Sequence, residues 1–441
     1  MFFQYPLTKG FKERALAYGT IMAVITLIFH IFSIILGHGL QTYFDTPIGS
    51  DFIAFYTGGS FFNLGNLEKI YEFAPEMYFP TQFEFQKQII GPDYMGHSPF
   101  INPPFAVIIY APFALLDYIP AYICWLIFNL SLLGLCVRTI HKELPIYKNT
   151  PFYKLFLCCF LFFPTIASFM FGQATPIILL CYCLCFVSLR KKQDFRAGFY
   201  LGLLAFKPQL AIAVALILIF KWRWKSLLGG MLSLSLSLGV GFLYMPDAMH
   251  AYLTVSPQLL DFLRSSVYPI QGVDSFFGFS VLLFNNINPS LAITSTFVLT
   301  GITILFLLSL WRKIDWLENK VHWDLAMAVT FCWGLLISPH LFYYDLMLLL
   351  LPAAILVQHL PWLYLRNNKI LLWTTVLWTV SYLGSFISDA QVNILSYFNL
   401  MEIGFQLATP TIFYWGYCIY KATLDEQRQR TFSPTQELLV Q

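Results

Sequence analysis

The chain has 441 residues, 58% of them hydrophobic and only 11% charged, with a formal net charge of +3 and a mean hydropathy of +0.66. Soluble domains carry ~25% charged residues, so the composition excludes one and points to an all-α chain that crosses a lipid bilayer many times. The small positive charge, with no basic block interleaved with aromatics, excludes a nucleic-acid groove.

From the N-terminus, Lys9, Lys12 and Arg14 precede the apolar run 16–37. A signal-peptide core is ~7 to 15 residues long and closes on a small-residue cleavage site, whereas this run is longer and ends in HGLQTYF, so a retained anchor is expected. The stretch GSDFIAFYTGGSF (49–61) follows and places a carboxylate, Asp51, among aromatics. Ser50 and Asp51 could cap a short helix over 52–64. Alternatively, Asp51 is kept as a base.

Residues 38–102 form a first long loop with seven acids against Lys69 and Lys87. Apolar runs then recur at 103–116, 119–140, 152–171, 174–189, 195–206, 209–220, 226–245, 290–311, 323–338, 341–358, 370–388 and 400–420. Several are shorter than the ~20 residues of a straight crossing, so half-helices or re-entrant hairpins are expected, within about eleven to thirteen spans. The clusters Lys9–Arg14, Arg138–Lys154, 190–196, 221–225, 312–320, Arg366/Lys369 and 421–430 hold 22 of the 26 Lys and Arg. They set both termini and these loops on the cytoplasmic side. The pair of runs in 103–140 must then cross a net odd number of times, so one of them is expected to be re-entrant or interfacial.

The loops at 38–102 and 246–289 fall on the exoplasmic side, with short amphipathic helices on the membrane face and one cation, Arg264, in the second. This organisation reads as one integral-membrane domain over 1–421 followed by a cytoplasmic tail, 422–441.

Lys207 stands apart. It lies in AGFYLGLLAFKPQLAIAVALILIF, between two apolar half-helices, beside a helix-breaking Pro208. A charge at that depth costs at least ~2.5 to 3.5 kcal/mol, so it needs an anionic ligand or an internal carboxylate such as Asp51 or Asp345. Asp51, the break GQATP with Gln173, Lys207, Arg264, and the break ISPHLFYYD with His340 all interrupt apolar segments at one membrane level. Irregular backbone at depth lines cavities, so a shared cavity is expected.

A carboxylate or imidazole there can take a proton from an attacking alcohol, and cations can hold a phosphate leaving group. No phosphate-binding glycine loop is present, so an activated donor would be membrane-anchored. The first-loop acids are dispersed, and the cysteines at 124, 136, 158, 159, 181, 183, 185, 332 and 418 include no CxxC pair, so neither a metal site nor a disulfide framework is expected.

The ordered blocks SDFIAFYTGGSFFNLGNLEKIYE, NPPFAVIIYAPFALL, GQATPIILL, AGFYLGLLAFKPQLAI and SPHLFYYDLMLLLLP, together covering 49 to about 352, resemble glycosyltransferase family 87 within the GT-C superfamily. The resemblance implies an inverting transfer of a hexose, typically mannose, from a polyprenyl-phosphate sugar to a glycolipid or glycan hydroxyl at the plasma membrane. No cofactor beyond the lipid-linked donor is implied. It makes Asp51 the general base, assigns His340 a catalytic part, and puts Lys207, with Arg264 and Gln173, at the donor phosphate. A secondary transporter would also use broken helices and a buried lysine, but it predicts internal symmetry that the chain lacks. A noncatalytic scaffold of envelope glycan assembly predicts that Asp51 has no effect on transfer.

Overall fold

The computed structural model describes residues 9–96, 98–265, 268–364, 369–397 and 404–432. Its regular structure is helical throughout, and among these residues the only β pairing is three isolated bridges. The cluster member Arg366 and the tail residues 433–441 lie outside the described residues.

Six described helices are long and apolar enough to cross a membrane: Glu13–Ile35, Tyr118–Glu143, Trp224–Tyr244, Pro289–Lys313, Lys320–Ile337 and Tyr343–Leu360. A seventh span arises if Phe152–Cys159 and Phe163–Met170, bent by 77° at a break beside Pro164, count as one. The chain is thus a polytopic helical membrane protein, and among the described residues fewer unbroken helices reach full crossing length than there are apolar runs. Hydropathy registers apolar residues and is blind to where the chain breaks.

The run 103–116 shows this plainly. Prolines 103, 104 and 112 split it into short turns, Pro104–Ala106, Val107–Tyr110 and Phe113–Leu115. Each proline removes a donor and clashes with the preceding turn. Within 103–140, Tyr118–Glu143 is the described helix long and apolar enough to cross a membrane.

The Lys207 region folds as a broken hairpin. Helix Asp194–Gly202 and the tight turn Leu203–Phe206 lead up to the lysine, and Pro208–Leu210 and helix Ile212–Phe220 lead away. Lys207 itself has φ −134 and ψ 65, a conformation that belongs to neither flanking turn. Arg223, just beyond the returning arm, ion-pairs with Asp194 at the start of the outgoing one, so the two arms begin and end together. Helix Trp224–Tyr244 packs hard against the outgoing arm. A Cβ on Gly198 would stand 1.7 Å from the Ser226 carbonyl oxygen, so only glycine permits that approach.

The first long loop is ordered by helix Phe52–Asn63, whose buried face carries Phe52 and Phe55. Phe55 stacks on Tyr110 at 4.5 Å, and Tyr110 packs on Trp125 at 5.4 Å. Such aromatic pairs add ~0.5 to 1.5 kcal/mol each beyond area burial, enough to fix the helix against Tyr118–Glu143. At the other end of the chain, helix Ala408–Phe432 runs past residue 421, with Ala422 and Thr423 still buried, so the packed body extends beyond the expected start of the tail.

Candidate active site

Asp51 begins helix Phe52–Asn63, yet its side chain makes no capping hydrogen bond. The capping expectation fails because the carboxylate is engaged elsewhere: Gln173 Nε2 donates to Asp51 Oδ2 at 2.7 Å. The backbone N–H groups of Asp51 and Phe52 both donate to the Phe171 carbonyl, at 3.0 and 3.1 Å. The helix start is therefore docked onto the turn Phe171–Gln173.

That turn is itself held by helix Tyr118–Glu143. The Tyr122 hydroxyl donates to Phe169 and Met170 oxygens at 3.0 and 2.9 Å, Trp125 Nε1 to the Gly172 oxygen at 2.7 Å, and Asn129 Nδ2 to the Gln173 oxygen at 3.2 Å. Gly172 adopts φ +69, where an L side chain is strained, and a Cβ there would lie 2.7 Å from Phe52 Cβ. The sequence thus supplies a glycine where the carboxylate-bearing helix and the amide-bearing turn must meet.

At the hairpin tip, Lys207 Nζ reaches Asp345 Oδ1 at 3.5 Å, and both side chains are buried. The Thr175 hydroxyl donates to the same Oδ1 at 2.8 Å. Of the internal carboxylates open to Lys207, the one that meets it is Asp345.

His340 sits in the connection between helix Lys320–Ile337 and the turn Tyr343–Leu349. Its Nδ1 lies 2.5 Å from the Tyr268 hydroxyl. The connection is stitched to the second long loop: the Asp274 N–H donates to the Leu341 oxygen at 2.7 Å, and Val273 bridges Phe342. Gln406 Nε2 donates to the Val273 oxygen, tying in the C-terminal helices. Arg264 closes the short helix Leu259–Leu263, four residues before Tyr268, with its Nε buried and without a hydrogen-bond partner.

The groups feel one another electrostatically. Burial pushes the Asp51 carboxyl up to about 6, against the opposing pull of hydrogen bonds from Gln173 and Tyr344 and of the Lys207 charge. Burial pushes His340 down to about 3, with the Lys207 charge acting the same way. His340 is therefore a neutral imidazole at ordinary pH. Tyr268, pushed well up by burial with the charges of Asp345 and Asp51 adding, keeps its proton. The tautomer that lets Tyr268 donate to Nδ1 carries the ring proton on Nε2, a donor for an anionic oxygen.

The structure brings Asp51, Gln173, Lys207 and His340, four of the five residues expected to share a cavity, to one end of the bundle. It adds Asp345, Thr175 and Tyr268. Asp345 was visible as a charge in the apolar run YYDLMLLLLP, whereas Tyr268 carried no signal among 25 tyrosines. Among the described residues, no three His, Cys, Asp or Glu side chains converge as metal ligands do.

With this geometry in hand, the decisive comparison is with family models: residues 100–339, more than half of the chain, match glycosyltransferase family 87. The chain belongs to that family. No curated protein and no solved structure matches it. This family 87 glycosyltransferase holds Gln173, Lys207 and Arg264 inside the matched stretch. His340 falls one residue beyond it and Asp51 well before it, so their place beside the matched core comes from the tertiary structure.

Proposed function

We propose that the protein transfers a hexose, mannose first among them, from a polyprenyl-phosphate sugar to a hydroxyl of a glycolipid or glycan, with inversion. Asp51 takes the acceptor's proton as that oxygen attacks the anomeric carbon. The bond from that carbon to the phosphate oxygen breaks, and its electron pair stays on the phosphate. Lys207, Arg264 and the Nε2–H of His340 offset the charge that gathers there, while Gln173 aims the base. Inversion needs one base and a leaving phosphate that asks for little acid help. We place this chemistry at the exoplasmic face of the plasma membrane, with both termini cytoplasmic and no cofactor beyond the lipid-linked donor.

The observation that supports this reading is the Asp51 carboxylate. It is held by one side-chain amide, left free of capping duty, poised near neutrality and placed at the same end as Lys207. A general base works best with a pKa near the operating pH. In the test, purified protein in lipid receives radiolabelled polyprenyl-phosphate sugars with membrane extract as acceptor. The wild type is expected to label a product, and Asp51→Asn to lose ~10² to 10⁴ of that rate while inserting normally. Undiminished turnover by the variant would remove the base assignment.

A further inference from the structure

Among the described residues, two buried ion pairs can be compared directly. Near the opposite end of the bundle, both oxygens of Asp324 are used: Arg190 donates to Oδ1 at 2.8 Å and to Oδ2 at 3.1 Å, and His359 Nε2 adds a contact to Oδ2 at 2.9 Å. Arg190 is completed by Glu143 at 2.9 Å. That network is closed, as a buried charge requires.

The Lys207–Asp345 pair is open. Its 3.5 Å separation exceeds the ~2.7 to 2.9 Å of a charge-assisted bond. Asp345 is fully buried, its Oδ1 is shared between Lys207 and Thr175, and its Oδ2 has no hydrogen-bond partner. A carboxylate can accept about four hydrogen bonds, and a buried oxygen left with none is costly. The open oxygen belongs to the carboxylate that pairs with Lys207, so a ligand held by the lysine's remaining donors is a neighbour of that oxygen. The missing partner is a donor, and next to a phosphate on a glycosyl lipid the available donor is a sugar hydroxyl.

We propose that Asp345 Oδ2 receives a hydroxyl of the donor sugar, so that Lys207 and Asp345 together read a sugar phosphate, ammonium to phosphate oxygen and carboxylate to the adjacent hydroxyl. Thr175 is the positioning residue that pins Oδ1, so that Oδ2 is the oxygen left for the incoming hydroxyl. This assignment rests on the reading of Lys207 as the donor-phosphate ligand.

The test measures equilibrium binding of three probes to the protein in lipid nanodiscs: undecaprenyl phosphate, and its mannosyl and glucosyl esters. The wild type is expected to bind at least one ester more tightly than the bare phosphate. Asp345→Asn is expected to weaken that ester about tenfold or more, the size of one charge-assisted hydrogen bond, while bare-phosphate binding is unchanged or tighter. Lys207→Met is expected to weaken all three probes.

Equal loss for ester and bare phosphate with Asp345→Asn, or no loss at all, overturns the hydroxyl contact. No preference of the wild type for either ester overturns it too. Unchanged affinities with Lys207→Met overturn the paired site together with the phosphate role assigned above, a failure separate from the first. Should Asp345→Asn fail to fold, Thr175→Val keeps the carboxylate and frees its orientation. A selective several-fold loss of ester binding then supports the proposal, and an equal loss across probes overturns it.

Discussion

Asp51 and His340 are pushed in opposite directions by the same burial. For the carboxylate the consequence is a single ionisation at about 6, and only the deprotonated form can accept a proton from an alcohol. Transfer is therefore expected to rise about tenfold per pH unit below 6 and to level off above it. His340, already neutral, adds no second limb between pH 4.5 and 8.5. A pH series of kcat/KM checks this, and a midpoint below 5 would place the working carboxylate in water. The stability sign follows from the same shift. Because the folded pKa lies above the usual 3.8, the native state binds more protons in that window, and ionisation of Asp51 costs stability as pH rises through it. Asp51→Asn should thus hold or raise the melting temperature above pH 6 even as it removes activity. The presence of a carboxylate after the first helix was legible in the sequence. Its partner Gln173, 122 residues away, was legible only as a break in an apolar run, because local propensity says nothing about which distant group meets which.

At the scale of elements, the Lys207 hairpin was the most readable feature, since a charge and a proline in an apolar run leave few alternatives to a turn at depth. The closeness of its packing was not readable. The run reads as hydrophobic whether or not helix Trp224–Tyr244 lies against it, and the deciding fact is the absence of a side chain at Gly198. Gly198→Ala puts a methyl group into the Ser226 carbonyl, so the two helices must separate. We expect a loss of at least ~1 to 3 kcal/mol, the usual cost of overpacking, measured as a lower unfolding temperature in detergent. An unchanged unfolding temperature would mean that the arms sit further apart than described. The bent pair Phe152–Cys159 and Phe163–Met170 repeats the lesson, for hydropathy reads one span where the chain turns by 77°.

Across the whole molecule the charges sort to two ends. Arg190, Glu143, Asp324 and His359 join four helices at one end, with Lys221 donating to the Ile314 oxygen and Arg223 lying over the Trp316 ring in the adjoining segments. These come from segments that basic clustering assigns to one membrane side, and Asp51, Lys207, Asp345 and His340 gather away from them. Arg190→Met would leave Asp324 buried without its main counter-charge and is expected to cost ~3 to 5 kcal/mol, seen in unfolding in detergent, with the Lys207–Asp345 pair untouched. A loss below 1 kcal/mol would show that water reaches Asp324. The sequence by itself determined the membrane-spanning helical class and the family, because composition answers to the bilayer and the family pattern lies along the chain over residues 100–339. Only the tertiary structure decided the number of full-length helices, the Asp51–Gln173 and His340–Tyr268 pairs, and the choice of Asp345 as the partner of Lys207. Those outcomes depend on where broken segments pack and on which buried polar groups are left to satisfy one another, and neither is written in any single stretch of chain.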